Sequence, residues 1–403
     1  MQIRAILLCL VCVPAAILGE TTAERAVRLH RESLVFDAHV HFMNRQVYLG
    51  GDIGERPAGP VGGVGVDLPS VRAGGLKAVF FNLYVEGEYA PSRYEVKQTL
   101  RLIDRALEQI RKNQDKVELA LNADDVERIS RSGKIAAVID LEGSFDMDGD
   151  PSVLRTLYRL GVRGIQIADN ARNTNYADSA CCAPAWKGIN DRGRALIREA
   201  NQLGMVINLA HASDATWRQV VETSRAPVIS SHQGLRHFNP GLAYNASDEM
   251  IRKLAAKGGV VGVHFSPTSW SLPLYEHYRK AAGPASAVEA RPPALQTFEE
   301  ITSRFRASSA RVTPLAPREV IEPTSRWTEV VDYYIRLVGE DHVALGSDFG
   351  GGLRDRAGLT DISQYPAITR ALVERGYSDE RIRKILGLNL LRVFREISAK
   401  ASR

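Results

Sequence analysis

Leu34 to Val40, LVFDAHV, is the stretch on which the fold turns. It is short, nearly continuous in apolar residues and rich in β-branched ones, as a strand buried on both faces of a parallel sheet would be. Seven similar runs follow. They are Leu76 to Val85 (LKAVFFNLYV), Ile135 to Leu141 (IAAVIDL), Val162 to Ala168 (VRGIQIA), Met205 to Ala210 (MVINLA), Pro227 to Ser231 (PVISS), Gly259 to Phe265 (GVVGVHF) and Val343 to Ser347 (VALGS). Amphipathic helical patterns lie between them, for example Leu100 to Asn113, Asp191 to Leu203 and Asp248 to Lys257. Ser213-Asp214-Ala215-Thr216 can cap another helix, running to Ser224. Eight alternations of strand and helix predict an α/β fold closed as a (β/α)8 TIM-type barrel rather than an open sheet. The Pro- and Ala-rich stretch 267–323 reads as an insertion over the barrel mouth before the eighth strand, within one domain over 24–403.

Ahead of the barrel, Arg4 precedes an apolar run from Ala5 to Gly19 that contains Pro14. The run is too short to span a bilayer comfortably, so residues 1–23 read as a signal peptide, cut after Ala23 or Gly19, rather than as an anchor. Cys9 and Cys12 do not follow small residues as a lipidated cysteine would. No later run is long enough to cross a membrane. A secreted or periplasmic protein is expected, with no stable membrane span once the signal is removed. The mature chain keeps only the adjacent pair Cys181-Cys182, and a bond between neighbours is strained and rare. There is no disulfide framework, and a zinc site on this pair would lack a second pair of ligands nearby. The 403 residues, 44% hydrophobic and 25% charged, exclude a disordered, collagenous or coiled-coil chain. A net charge of +5, with basic residues dispersed among acidic ones, gives no nucleic-acid footprint, and no such partner is expected.

Chemistry-bearing residues fall at the ends of the predicted strands. His39-Val40-His41 ends the first, and alternation along a strand lets both imidazoles point into the barrel mouth. Glu142 ends the third, His211 the fifth, His232 the sixth and Asp348 the eighth. The C-terminal face of such a barrel is where its enzymes hold their active sites. A single histidine at a strand end is commonly a packing or capping residue, but four of nine at equivalent places form a pattern. His30, His237, His264, His277 and His342 are assigned to surface or packing, and of these His264 is set apart by its place inside the seventh strand. Neutral imidazoles with carboxylates suit zinc, and one bridging carboxylate fits two metals about 3.5 Å apart. Such a pair activates a water for hydrolysis of an amide or similar bond, with Asp348 taking the proton and passing it to the leaving group.

With these residues in place the chain resembles the renal, or membrane, dipeptidase family of zinc metallopeptidases. The likeness runs through FDAHVHF near 36, VDLPSVRAGGLKAVFFNLYV from 66, DLEGSF from 140 and GMVINLAHASDAT from 204. It continues through SRAPVISSH from 224, LAAKGGVVGVHF from 254, HVALGSDFGGG from 342, GLTDISQYP from 358 and ILGLNLLRVF. The resemblance implies a barrel with two zinc ions bridged by Glu142. His39 and His41 would hold the first, His211 and His232 the second, and Asp348 would be the acid/base. It also implies broad cleavage of dipeptides, D-residues at the C-terminal side included, and homodimerisation.

Four positions depart from the family pattern. His-x-Asp is His39-Val40-His41, which keeps a ligand. The histidine expected after the fourth strand to contact the scissile carbonyl falls at Asp169. The arginine expected to pair with the dipeptide's carboxylate falls at Tyr244, with Arg236 nearby as a substitute cation. The second acid of Asp-Phe-Asp-Gly is Gly350. Asp169 and Tyr244 are therefore the substrate-binding candidates. Three functions follow: a metal-dependent dipeptidase, a hydrolase of another amide, ester or modified peptide on the same metal pair, and a non-catalytic barrel that only binds.

Overall fold

The protein, described from a computed structural model, is defined over residues 20–42, 50–56, 66–90, 93–282, 296–309, 323–351 and 357–401. Nine strands run in chain order as β1 (Phe36–His41), β2 (Ala78–Val85), β3 (Val117–Leu119), β4 (Ile135–Gly143), β5 (Val162–Gln166), β6 (Val206–Asn208), β7 (Ile229–Gln233), β8 (Val260–His264) and β9 (Val343–Gly346). All pairings are parallel. Eight strands close the barrel in the order β1-β2-β4-β5-β6-β7-β8-β9, with β9 returning to β1 at Asp37↔Leu345. The α/β, TIM-type expectation holds.

β3 is an addition to the eight expected strands. It pairs with Ile135 to Ala137, the first part of β4, on the edge that β5 takes over at Ile139. Val-Glu-Leu is too short, and has a charge at its centre, so it leaves no apolar run to read in the sequence.

The barrel interior changes character along the strands. On β2 and β4, paired in register, Ala78 with Ala136 and Phe80 with Val138 are apolar, and next come Asn82 opposite Asp140 and Tyr84 opposite Glu142. The apolar end is closed by the helix Asn389–Ala399, whose Leu390, Val393 and Phe394 pack with Phe36, Phe80 and Ile229. The alternate residues Val79, Phe81, Ala137 and Ile139 face outward into the layer of helices. Apolar burial on both faces thus supplies the stability, and it leaves the polar end of the interior for chemistry. Side-chain parity on β1 switches at a register shift between Asp37 and Val40. Phe36 and Ala38 join the inner cluster, whereas past the shift Val40 packs outward and the two histidines face the mouth.

Of the predicted insertion, the structure describes the turn Pro267–Ser269 and the helices Leu272–Ala282 and Phe298–Ser309, while 283–295 and 310–322 lie outside the described residues. Phe298 and Ile301 cluster with Tyr89, which follows β2, and the Tyr89 hydroxyl meets Thr302 Oγ1 at 3.1 Å. The predicted signal run lies outside the described residues. Thr21 forms a capping box with Glu24 at the start of helix Thr22–Glu32, a cap that cutting after Ala23 would remove and cutting after Gly19 would leave. Among the described residues no helix is long and apolar enough to cross a membrane. Cys181 and Cys182, a pairing that their adjacency in the sequence argues against, are joined by a disulfide.

Candidate metal centre

Strand ends bring His39, His41, Glu142, His211, His232 and Asp348 to the mouth of the barrel. The ligand atoms form two groups about one carboxylate. His39 Nε2 and His41 Nε2 stand 3.1 Å apart, at 3.0 and 3.4 Å from Glu142 Oε2. His211 Nε2 and His232 Nε2 are also 3.1 Å apart, and His211 lies 3.5 Å from Glu142 Oε1. Asp348 Oδ1 approaches His41 Nε2 at 3.0 Å. Two triads, His39–His41–Asp348 and His39–Glu142–His232, each bring their ligand atoms within 4.8 Å of one another.

The geometry of Glu142 is diagnostic. Its Oε2 is buried and makes no hydrogen bond, although two imidazole nitrogens lie within 3.4 Å. Lone-pair donors facing one another at such distances need a cation among them. Without a metal a proton does part of that work. Burial alone would depress His39, but the Glu142 carboxylate, with help from Asp348, raises it to about 9. Burial would raise Glu142, and the charge of His39 with the close approach of the His211 and His39 imidazoles holds it well below the usual range. His232 is pushed well down by burial and by the neighbouring imidazoles of His39 and His211.

The back of the cluster is held by hydroxyls. Ser231 Oγ lies 3.2 Å from His39 Nδ1 and 2.9 Å from His232 Nδ1, so one side chain orients a ring from each group and leaves both Nε2 atoms facing the centre. His211 and Asp348 sit in left-handed backbone, at φ 63° and 56°, two of only five such non-glycine positions among the described residues. Side chains held in that region at a polar cleft are a mark of function.

The substrate-facing candidates part company. Tyr244 lines the cavity, its ring centroid 4.9 Å from that of His211. Asp169 is fully buried behind the wall, where its carboxylate accepts from the Ser144 hydroxyl and the Ala171 N–H. Burial raises its pKa, opposed by the Ser144 bond. The neighbouring Asn170 reaches the cavity in its stead and accepts from the Tyr84 hydroxyl at 2.8 Å. Arg236 is engaged by Asp214 through both terminal nitrogens and is absent from the lining. Gly350 has φ 84°, and a Cβ there would overlap the carbonyl oxygen of His41, so this backbone leaves no room for the second acid of the family pattern.

His264 is not the packing residue that the sequence suggests. It stands in the cavity wall, with Nε2 at 3.3 Å from Asp348 Oδ2. It closes β8 at the same strand-end position that selects the other histidines, so that position is the signal that could have found it. Glu86, just past β2, and Ser266 and Thr268, just past β8, complete much of the remaining lining, and no motif in the sequence points to these three. The cavity measures about 370 Å³, enough for a small substrate.

Comparison with known proteins places this geometry in context. A family model described as membrane dipeptidase (peptidase family M19) matches residues 23–403. The dipeptidase tcpJ of Claviceps purpurea is 32% identical over 348 residues, covering 84% of this chain and 70% of its own length. The dipeptidase verJ of Clonostachys rogersoniana is 30% identical over 349 residues, covering 83% and 77%. Among solved structures, the probable dipeptidase PvdM from Pseudomonas aeruginosa superposes with a TM-score of 0.72 at 24% identity, over 94% of this chain and 99% of that one. A metallopeptidase from Rhodobacter sphaeroides, liganded with a phosphinate mimic of the dipeptide L-Ala-D-Ala, gives 0.71 at 20% identity, over 91% and 99%. At these identities the two structures speak for the fold.

Proposed function

The chain belongs to the membrane dipeptidase family, a family of metal-dependent hydrolases, and on that premise we propose that it is a dipeptidase whose Glu142, together with two histidine pairs, would hold two zinc ions. One observation carries the reading: Glu142 Oε2 lies beside His39 and His41, and Oε1 lies beside His211, whose Nε2 is 3.1 Å from that of His232. His39 and His41, with Asp348 beside them, would hold one ion, and His211 with His232 the other. Imidazole nitrogens with carboxylate oxygens are the donor set that zinc takes. When bound, zinc supplies the Lewis acidity that polarises a scissile carbonyl and lowers the pKa of water.

The remaining work falls to the chain. Asp348, on the cavity wall, accepts the proton of the attacking water and returns it to the leaving nitrogen. Tyr244 offers a hydroxyl to the C-terminal group of the substrate, and Asn170 offers an amide from across the cavity. The proposal sets the enzyme outside the cytoplasm, secreted or periplasmic, on the strength of the Ala5 to Gly19 run. Homodimerisation rests on the family resemblance alone.

A second reading has a specific support. Tyr244 is neutral, Arg236 is engaged by Asp214, and no arginine or lysine lines the cavity among the described residues. A substrate whose C-terminal side is an amide, ester or ring would not need the missing charge. The test is a panel of L-L and L-D dipeptides, L-Ala-D-Ala included, set beside their C-terminal amides and esters. Protein of measured zinc content and a chelator-treated control are assayed together. Zinc-dependent release of free amino acids from the dipeptides is expected. No dipeptide cleavage by zinc-replete protein would overturn the dipeptidase reading, and cleavage of the amides or esters would establish the second.

A further inference from the structure

His264 lies at the junction of the metal centre and the substrate wall, and its two ring nitrogens have different partners. Nε2 faces Asp348 Oδ2 at 3.3 Å. Nδ1 faces two hydroxyls, Ser269 Oγ at 2.6 Å and Tyr244 Oη at 2.8 Å, which are themselves 2.8 Å apart. The ring is 4% exposed, and Trp270 Nε1 donates to the His264 carbonyl at 3.1 Å, which anchors the backbone that carries it.

The chemistry of these groups fixes the direction of the bonds. An ionised carboxylate only accepts, so the contact with Oδ2 requires a hydrogen on Nε2. A neutral imidazole with Nε2–H has one acceptor lone pair at Nδ1, which the nearer hydroxyl, Ser269 at 2.6 Å, can fill, leaving the Tyr244 hydrogen for another acceptor. The chain of donors therefore runs from Ser269, through His264, to Asp348, with Tyr244 beside it. We infer that His264 is a positioning residue for Asp348: it holds Oδ2 in place and thereby turns Oδ1 toward His41 and the reacting water.

Asp348 needs such a hold. Its backbone is in left-handed geometry, and its two oxygens serve two neighbours, His41 on one side and His264 on the other. A carboxylate free to rotate would lose the alignment on which proton transfer depends. The inference also joins Tyr244, which lines the cavity, to the proton carrier through a single ring. Its kinetic part rests on the role given to Asp348 above, but the tautomer of His264 does not.

Two measurements test it. The first is the tautomer of His264 by nitrogen-15 spectroscopy of histidine-labelled, zinc-loaded protein, with the resonance assigned by its loss in His264→Gln. The Nε2–H form is expected, and an Nδ1–H form would overturn the inference whether or not any dipeptide is cleaved. The second compares His264→Ala with His264→Gln on a substrate that the parent protein hydrolyses. For the alanine variant kcat is expected to fall about 10- to 100-fold, the usual cost of losing an orienting partner, with KM and zinc content little changed. Glutamine, which can also donate to Oδ2, is expected to recover part of that loss. Equal losses in both variants, or a loss that follows zinc content, would overturn the positioning role.

Discussion

The barrel mouth has two layers that obey different constraints. The inner one is made of His39, His41, Glu142 and His232, which lie within strands β1, β4 and β7, and of His211, in the turn three residues past β6, with side chains 0 to 16% exposed. Strand pairing places the four strand residues, a left-handed turn places His211, and Ser231 binds a ring from each histidine pair. The outer layer, with Tyr244, Asn170, Ser266, Thr268 and Gly350, stands on loops. Three of the four departures from the family pattern, at 169, 244 and 350, lie in loops, and the fourth, His41, puts an imidazole where that pattern has a carboxylate. A strand end cannot change parity or direction without disturbing its neighbours, whereas a loop residue can be replaced alone. On the proposed function, the reaction would rest on the inner layer and the choice of substrate on the outer one.

That contrast makes its strongest claim at Glu142. Glu142→Gln removes the one carboxylate shared by both histidine pairs and leaves a neutral amide among imidazoles. Hydrolysis of every substrate should be lost, together with zinc at one position or both, well beyond the roughly 100-fold cost of losing a supporting partner. Elemental analysis beside the dipeptide panel checks this. A variant that kept both metals and lost only some substrates would erase the distinction between the layers.

A smaller effect should come from beneath the inner layer. Asp140 points into the barrel below Glu142, opposite Asn82, and burial, only partly offset by the charge of His39, raises it to about 7 in the metal-free protein. The folded chain therefore retains a proton that the unfolded chain gives up near pH 4. Stability from this group is complete below about pH 4 and is lost as pH rises toward 7, by at most about 4 kcal/mol for a shift near 3 units. In Asp140→Asn that loss should be absent. Denaturant unfolding of both metal-free proteins from pH 4 to 8 would show it, and parallel stability curves would refute it.

The same contrast explains what the sequence discloses. Barrel strands need long apolar runs and their polar ends stand out against them, so the eight strands and the six residues that gather at the barrel mouth are legible. The Ser213 cap is too, and its hydroxyl accepts from the Thr216 N–H as expected. β3 escapes because three residues around a glutamate carry no pattern. Asp169 matches a role by its place in the chain, yet which of two loop neighbours, Asp169 or Asn170, faces the cavity depends on how the loop folds around Ser144 and Ser179. His264 sits inside an apolar run, where a packing role is the ordinary reading, and only the approach of β9 reveals its partner, Asp348. The Cys181–Cys182 bond needs a loop conformation that composition does not report.

The smallest effect tests the outer layer at Tyr244. Tyr244→Phe keeps the ring that packs beside His211 and removes only the hydroxyl. His264 Nδ1 still has Ser269 Oγ at 2.6 Å, so the hold on Asp348 should persist and kcat should change little. A lost hydrogen bond to substrate is worth about 1 kcal/mol, or roughly fivefold in KM. That loss should fall on dipeptides with a free carboxylate more than on their C-terminal amides, because a charged acceptor gains more from the hydroxyl than a neutral one. The ratio of kcat/KM for a dipeptide to that for its amide should therefore drop, while zinc content stays that of the parent. If both substrates fell together, or zinc were lost, Tyr244 would belong to the inner layer after all, and the boundary between chemistry and choice would have to be moved outward to Asn170 and Thr268.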